Sequence, residues 1–223
     1  MIAGAHGLIF ESTAHTYLLR DQRLISVTDS LRTAGLIDLQ WCTSRARWVG
    51  SVVHEGCRLI NKGTLNWESV HPDCVGYLRS FEKFLPLSGF QVAGFEKPIH
   101  HPGLLYAGMP DLWGIFNGSW AVIDYKTGPV QDWCALQTAL YVMALIETIP
   151  WWWSAPGHAN MPPQSPYLWK RFGMRLMADG TLPKLSAFTD VGDFGLAASI
   201  VSMSNWKINH NYDLWRKNDN GLD

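Results

Sequence analysis

The chain has 223 residues, 47% of them hydrophobic, and a formal net charge of −1. This length suits one α/β domain, and we expect a single domain over residues 1–223 with its core at about 8–209. The near-zero net charge argues against a large basic surface, so any contact with nucleic acid must use a local basic patch. No apolar run reaches the roughly 18 residues of a membrane-spanning helix. Since the N-terminus also lacks a signal-peptide pattern, we expect a cytoplasmic protein.

Cysteine and tryptophan usage narrows the chemistry further. Cys42, Cys57, Cys74 and Cys134 are widely spaced and form no Cys-x-x-Cys pair. A zinc or iron–sulfur site therefore lacks its usual spacing, and we expect reduced thiols. Most of the 12 tryptophans should pack in cores or interfaces. The triplet Trp151-Trp152-Trp153 could instead stack on unpaired bases.

The first third of the chain is predicted to form a meander followed by helices. Short apolar runs alternate with polar turns over residues 8–28, as in adjacent short strands. Thr28-Asp29-Ser30 can cap a short helix through residue 34, and Thr43-Ser44 can cap a longer helix at about 44–62. A further helix is predicted at about 73–87.

The remainder is predicted to alternate strands and helices. The turn Asn117-Gly118 is a strong hairpin signal, and the apolar strand that follows it should be buried. Strands are predicted at about 90–99, 104–108, 112–116, 120–125, 167–176 and 182–188, and helices at 131–147 and 190–209. The Pro- and Trp-rich residues 150–166 should form a loop, and the polar tail at 216–221 should fray.

The candidate site lies on the arms of the predicted hairpin. Asp111 precedes one arm and Asp124 ends the other, so both carboxylates should meet at one sheet end. Asp124 and Lys126 share a strand face because side chains alternate, while Tyr125 points away and leaves its carbonyl oxygen beside Asp124. Carboxylate and carbonyl oxygens suit Mg²⁺ or Mn²⁺. A surface Asp beside an ordinary Asp–Lys pair is the alternative interpretation.

Other polar residues leave two interpretations open. Arg45, Arg47 and Lys170-Arg171 could contact phosphates, or they could be solvated surface charges. We expect His100-His101 to be a loop pair rather than metal ligands, since neighbouring residues on a strand face opposite sides.

Three motifs follow one another along the chain: Gly108-Met109-Pro110-Asp111, Asp124-Tyr125-Lys126-Thr127-Gly128 and Gln137-Thr138-Ala139-Leu140-Tyr141. In combination they resemble the RecB-type branch of the PD-(D/E)XK nuclease superfamily. Gly50-Ser51-Val52-Val53-His54 resembles the upstream helix motif of that branch. His15-Thr16-Tyr17, together with Ser26-Val27-Thr28, resembles the N-terminal part of its small phage and prophage members.

This resemblance implies a restriction-endonuclease-like α/β core, with a central mixed β-sheet flanked by helices. It also implies that the protein binds two Mg²⁺ or Mn²⁺ ions. The implied metal ligands are His54, Asp111, Asp124, the Tyr125 carbonyl and, as a further carboxylate, Glu96. The implied catalytic residues are Asp111, Asp124, Lys126 as the group orienting the attacking water, His54, Gln137 and Tyr141.

The resemblance also defines the expected activity. No cysteine follows Cys134, so we expect no iron–sulfur cluster of the kind some RecB-type nucleases carry, and no helicase phosphate loop is present. We expect a metal-dependent deoxyribonuclease, an exonuclease acting on DNA ends or single strands, with DNA as partner, no membrane and an oligomer as an option. One alternative is an endonuclease of restriction or structure-specific type, and another is a non-catalytic nucleic-acid-binding module.

Overall fold

The computed structural model describes residues 1–37, 42–149 and 161–212. They form two mixed β-sheets flanked by helices, which confirms the predicted α/β class. The strands are β1 (Ile2–Ala3), β2 (Leu8–Glu11), β3 (Thr16–Leu19), β4 (Gln22–Ser26), β5 (Gln91–Gly94), β6 (Ile99–His101), β7 (Tyr106–Gly108), β8 (Leu112–Phe116), β9 (Ser119–Lys126), β10 (Lys170–Arg175) and β11 (Lys184–Phe188). The α-helices are α1 (Val27–Thr33), α2 (Ser44–Lys62), α3 (Pro72–Ser88), α4 (Trp133–Thr148) and α5 (Gly192–Asn209). None of the helices described is long and apolar enough to cross a membrane.

The predicted meander forms most of the six-stranded sheet, in which the strand order is β1-β2-β3-β4-β7-β6. Strands β2, β3 and β4 are antiparallel neighbours, whereas β4 pairs with β7 in parallel. The predicted cap of α1 at residues 28–30 is wrong. Ser26 caps the helix, its hydroxyl accepting a hydrogen bond from the Asp29 amide at 2.9 Å, because α1 begins directly where β4 ends.

The five-stranded sheet has the order β11-β10-β9-β8-β5 and carries the predicted hairpin. Asn117 and Gly118, at φ values of 49° and 73°, form the turn between β8 and β9, as this dipeptide predicts. Leu112 faces Ile123 in the register of these strands. Asp111 and Asp124, one position further out, therefore come to the same end of the hairpin.

The strands predicted at 104–108 and 112–116 lie in different sheets, since β7 belongs to the six-stranded sheet and β8 to the five-stranded one. The chain crosses between the sheets at Met109-Pro110-Asp111. Asp111 consequently lies where the two sheets meet.

The helices hold this arrangement through two apolar clusters. Helix α4 connects β9 to the parallel strand β10 and packs against α1, α5 and strands of both sheets. On the other side, α2 and α3 pack together over a cluster that includes Phe81, Ile123 and Tyr125. The Tyr125 side chain lies on the face of β9 opposite Asp124 and Lys126, with its ring 4.9 Å from that of Phe81 and 5.9 Å from that of His54. The proposed stacking triplet Trp151–Trp153 and the tail at 216–221 lie outside the described residues.

Candidate metal and catalytic site

Asp111 is the residue on which the site is centred. It follows the inter-sheet crossing and is only 7% exposed. One carboxylate oxygen accepts a hydrogen bond from the Tyr125 amide at 2.6 Å. The other lies 3.0 Å from Nδ1 of His54. Asp111 therefore ties the end of β9 to helix α2, and its orientation is fixed from two sides.

His54 reaches the carboxylate from the middle of α2, whose observed bounds match the prediction of 44–62. Burial lowers the pKa of His54, but the neighbouring Asp111 and Asp124 outweigh this effect and raise it to about 9. Without a cation, the imidazole is thus held as a charged partner of Asp111. A divalent cation would have to displace that proton in order to use the ring nitrogen.

Glu96 approaches Asp111 from the segment that follows β5. Its amide donates a hydrogen bond to the Pro110 carbonyl at 3.0 Å, which ties this segment to the crossing between the sheets. Its carboxylate lies 3.7 Å from Nε of Arg58. Burial, together with the charge of Asp111, raises the pKa of Glu96 to about 7. A carboxylate in this setting is easily neutralised by a proton or by a cation.

These side chains fit a divalent cation. Among the residues described, His54, Glu96 and Asp111 offer ligand atoms that all lie within 4.8 Å of one another. Carboxylate oxygens with an imidazole nitrogen suit Mn²⁺, and the oxygens alone suit Mg²⁺. The geometry therefore places Glu96, which the resemblance implied as a further carboxylate ligand, beside His54 and Asp111.

Asp124 lies at the same end of the hairpin but is held differently. It is 2% exposed and forms an ion pair with Lys126, two residues along the same strand face. Burial raises the pKa of Asp124, and the Lys126 charge acts against this rise. For Lys126, burial lowers the pKa but Asp124 more than compensates, so the pKa is raised and the ammonium stays charged.

Helix α4 completes the site with a chain of hydrogen bonds. Lys126 Nζ donates to Gln137 Oε1 at 3.1 Å, and Gln137 Nε2 donates to the Tyr141 hydroxyl at 3.0 Å. The ammonium also lies 4.7 Å from the centre of the Trp133 ring. The helical spacing of Gln137 and Tyr141 puts both on the face that packs against β9. Their contacts position Lys126 beside the carboxylates.

The glycine of the Gly-x-Pro-Asp motif has a packing role here. A Cβ atom on Gly108 would lie 2.8 Å from Cε1 of Tyr141 and 2.8 Å from Cγ2 of Val27. Only a glycine lets the Tyr141 ring come this close to the strand. The motif thus couples the Gln137–Tyr141 pair to the crossing that carries Asp111.

A cleft of about 510 Å³ opens over these residues. One wall carries the carboxylates, His54 and Lys126. The opposite wall comes from the meander and the start of α1, through Phe10, Ser12, His15, Tyr17, Ser26 and Thr28. In the sequence, residues 15–17 and 26–28 of this wall resembled the N-terminal part of the small phage and prophage nucleases, but no role in the site was predicted for them. The available signal was the run of aromatic and hydroxyl residues at the ends of three predicted strands.

Among the basic residues considered as phosphate contacts, the structure decides between the two interpretations for Arg171. Arg171 is 3% exposed and is engaged by Asp193 and by the carbonyls of Ala135 and Asp190, so it cannot serve as a surface phosphate contact. Arg45 pairs with Asp73. The expectation of a loop pair at His100-His101 is wrong, because both belong to β6, where the backbone of His100 is hydrogen-bonded to Thr148.

Comparison with known proteins gives only distant structural likenesses. The structure is similar to that of a presumed exonuclease from Eubacterium rectale, with a TM-score of 0.44 and 13% identity over 84% of this chain and 80% of that chain. It is also similar to an alkaline exonuclease from Laribacter hongkongensis, with a TM-score of 0.35 and 12% identity over 85% and 90%. The complex of that enzyme with dAMP gives a TM-score of 0.34 and 13% identity over the same shares.

No family model matches the chain, and no curated protein matches it. At these TM-scores the likenesses carry no argument about function.

Proposed function

We propose that this protein is a metal-dependent nuclease that hydrolyses phosphodiester bonds in DNA, of the RecB-type PD-(D/E)XK kind. One observation carries the proposal. His54, Glu96 and Asp111 present ligand atoms within 4.8 Å of one another, beside the buried Asp124–Lys126 pair and at the floor of an open cleft. A cluster of this composition has little structural value by itself, because burying carboxylates close together costs stability.

The chain offers two groups of metal ligands that share Asp111. His54, Glu96 and Asp111 would hold one Mg²⁺ or Mn²⁺ ion. Asp111, Asp124 and the Tyr125 carbonyl would hold a second. When bound, such cations lower the pKa of water and stabilise the charge that develops on the phosphate.

Lys126 would act directly on the reacting groups. Its ammonium stays charged and is held by Asp124 and Gln137, so it can orient the attacking water and offset negative charge on phosphorus. Gln137 is itself held by a hydrogen bond to Tyr141, and this favours one orientation of the ammonium group. Because these contacts are present before the substrate binds, Lys126 needs little reorganisation to reach the transition state.

We favour exonuclease action on DNA ends or single strands. A cleft with walls on two sides accommodates a strand entering from an end more readily than a continuous duplex. The endonuclease alternative requires the same side chains, and a closed circular substrate separates the two activities because a circle has no end.

The test is digestion of 5′- and 3′-labelled linear, single-stranded and circular DNA in EDTA, Mg²⁺ and Mn²⁺. We expect linear and single-stranded DNA to be degraded only with a cation, and circles to remain intact. Asp124→Ala should abolish degradation, whereas Asp132→Ala, a matched change of an exposed aspartate just before α4, should not. Full activity of Asp124→Ala would contradict the proposed function.

A further inference from the structure

A second groove adjoins the cleft on the meander side. It has a volume of about 650 Å³ and lies between β4, the end of α1 and the end of α5. Its charged lining includes Arg23, Arg32 and Asp29, and its polar lining includes Gln22, Asn205 and Asn209. Strand β7 pairs with β4 only through Ile25 and Ser26. The groove opens where this pairing stops, beside the first half of β4.

The groove adjoins the cleft that contains the carboxylates. His15 and Ser26 line both cavities. Ser26 ends β4 and caps α1, and His15 lies in the turn between β2 and β3. A polymer chain that lies over Asp111 and Lys126 can therefore continue past His15 into the groove without leaving the protein surface.

The charge of the groove suits a polyanion. Within the described part of the chain, Arg23 is exposed and has no carboxylate within ion-pair distance. Arg32 and Asp29 also line the groove and are paired with each other at 2.6 Å, so Arg23 supplies its unpaired positive charge. The guanidinium of an unpaired arginine can donate two parallel hydrogen bonds to a phosphate. The hydroxyl and amide groups around it can hydrogen-bond to sugars and base edges.

His15 supplies a flat surface at the junction. Its ring is edge-on to Phe10, with centroids 5.1 Å apart and planes at 89°, and lies 6.4 Å from Tyr17. The backbone of His15 is at a positive φ of 48°, a conformation that few residues other than glycine adopt. These contacts hold an exposed aromatic ring at the mouth of the cleft, where an unpaired base could stack on it. A base inside a duplex is already stacked and does not offer its face.

We propose that this groove binds single-stranded nucleic acid, as the continuation of the strand whose phosphate lies in the cleft. Arg23 contacts a backbone phosphate, and His15 stacks on an unpaired base at the junction. The proposal deepens the proposed function and rests on it for the placement of the scissile phosphate. It assigns the meander a role in substrate selection.

The test is binding of a fluorescently labelled single-stranded 20-nucleotide oligomer to the full chain in EDTA, followed by anisotropy at several salt concentrations. Arg23→Ala should weaken binding about fivefold or more and reduce the magnitude of the slope of log K against log[salt] by about 0.7, the value for one lost single-strand phosphate contact. His15→Ala should weaken binding about fivefold or more with little change in slope, since it removes a stacking contact and no charge. The matched control is Arg20→Ala, an exposed arginine in the neighbouring β3–β4 turn that lines neither cavity.

The outcomes separate this proposal from the proposed function. Equal binding by the Arg23→Ala and Arg20→Ala variants overturns the groove assignment, even if the wild-type protein cleaves DNA. An equal loss of affinity for blunt duplex and single strand in Arg23→Ala overturns the single-strand assignment. Selective loss of single-strand binding supports the groove, and it does so even if no cation activates cleavage, in which case the proposed function alone fails.

Discussion

The two walls of the cleft come from different sheets and offer different chemistry. One wall, built on β9, α2, α4 and the crossing that precedes β8, carries Asp111, Asp124, His54 and Lys126. Each of these side chains is fixed by a hydrogen bond or an ion pair. The meander wall offers rings and hydroxyls, such as Tyr17 and those in the segments 10–15 and 26–28. Charged side chains that are fixed by hydrogen bonds and ion pairs can hold reacting groups in an accurate geometry. Aromatic rings and hydroxyls can bind a substrate in a wider range of positions. Substitutions on the first wall should therefore affect chemistry, and those on the second should affect binding.

The largest effect is expected from Lys126→Ala on the charged wall. Loss of the ammonium removes the group beside the reacting phosphate, and we expect the cleavage rate at saturating DNA to fall at least about a hundredfold. Lys184→Ala, which removes an exposed lysine at the start of β11, is the matched control. Single-turnover digestion of labelled DNA measures both. A Lys126→Ala variant within about tenfold of wild type would remove the functional difference between the walls.

Gln137→Ala should have the next largest effect. The variant keeps the ammonium but removes the side chain that accepts its hydrogen bond at 3.1 Å. We expect a decrease of about 10- to 100-fold, as for other residues that orient a catalytic group, and we expect it in kcat rather than KM. Steady-state kinetics on a labelled single strand would show this, with Gln131→Ala, an exposed glutamine before α4, as the control. A change confined to KM would place Gln137 with the binding residues.

The pH dependence of stability should report on the charged wall. The pKa values of His54 and Glu96 are about 9 and about 7, above their ordinary values of 6.5 and 4.5. The folded state thus holds protons that the unfolded chain releases, and stability in EDTA should fall as pH rises from about 5 to 9. Mn²⁺ should restore the melting temperature, and more strongly at high pH, because the cation replaces those protons. Melting temperatures that rise across this range in EDTA would contradict the assignment.

The smallest effect is expected from Tyr141→Phe. The hydroxyl that accepts the hydrogen bond from Gln137 Nε2 is lost, while the ring that packs against Gly108 remains. One such hydrogen bond contributes about 0.5–1.5 kcal/mol, so kcat should decrease by roughly two- to tenfold. The same kinetic assay measures this. A decrease as large as that of Gln137→Ala would mean that the hydroxyl acts on the substrate itself.

Local sequence signals predicted the elements that carry the site. The cap at Thr43 and the C-terminal Gly63 define α2, and Asn117-Gly118 defines the hairpin, because each depends only on neighbouring residues. The meeting of Asp111 and Asp124 followed from strand alternation and the hairpin register. His54 and Gln137 could be assigned only through motif resemblance, since their distances from Asp111 and Lys126 depend on helix packing.

What the sequence did not reveal depends on contacts between distant segments. Nothing local to Gly108-Met109-Pro110-Asp111 indicates that the chain passes from one sheet to another there. The parallel pairing of β4 with β7, which brings the meander over the cleft, joins residues far apart along the chain. The same holds for the buried Arg171, whose partners lie on α4 and near the start of α5. An exposed and a buried arginine look alike in a sequence.

The most direct test of the central claim is calorimetric titration of the cation-free protein with Mn²⁺. Wild type should bind Mn²⁺ with release of protons, because His54 and Glu96 hold protons that the cation displaces. Asp111→Ala should abolish this binding, while Asp73→Ala, an exposed aspartate paired with Arg45, should leave it intact. Absence of Mn²⁺ binding in wild type, or equal binding by Asp111→Ala, would contradict the account.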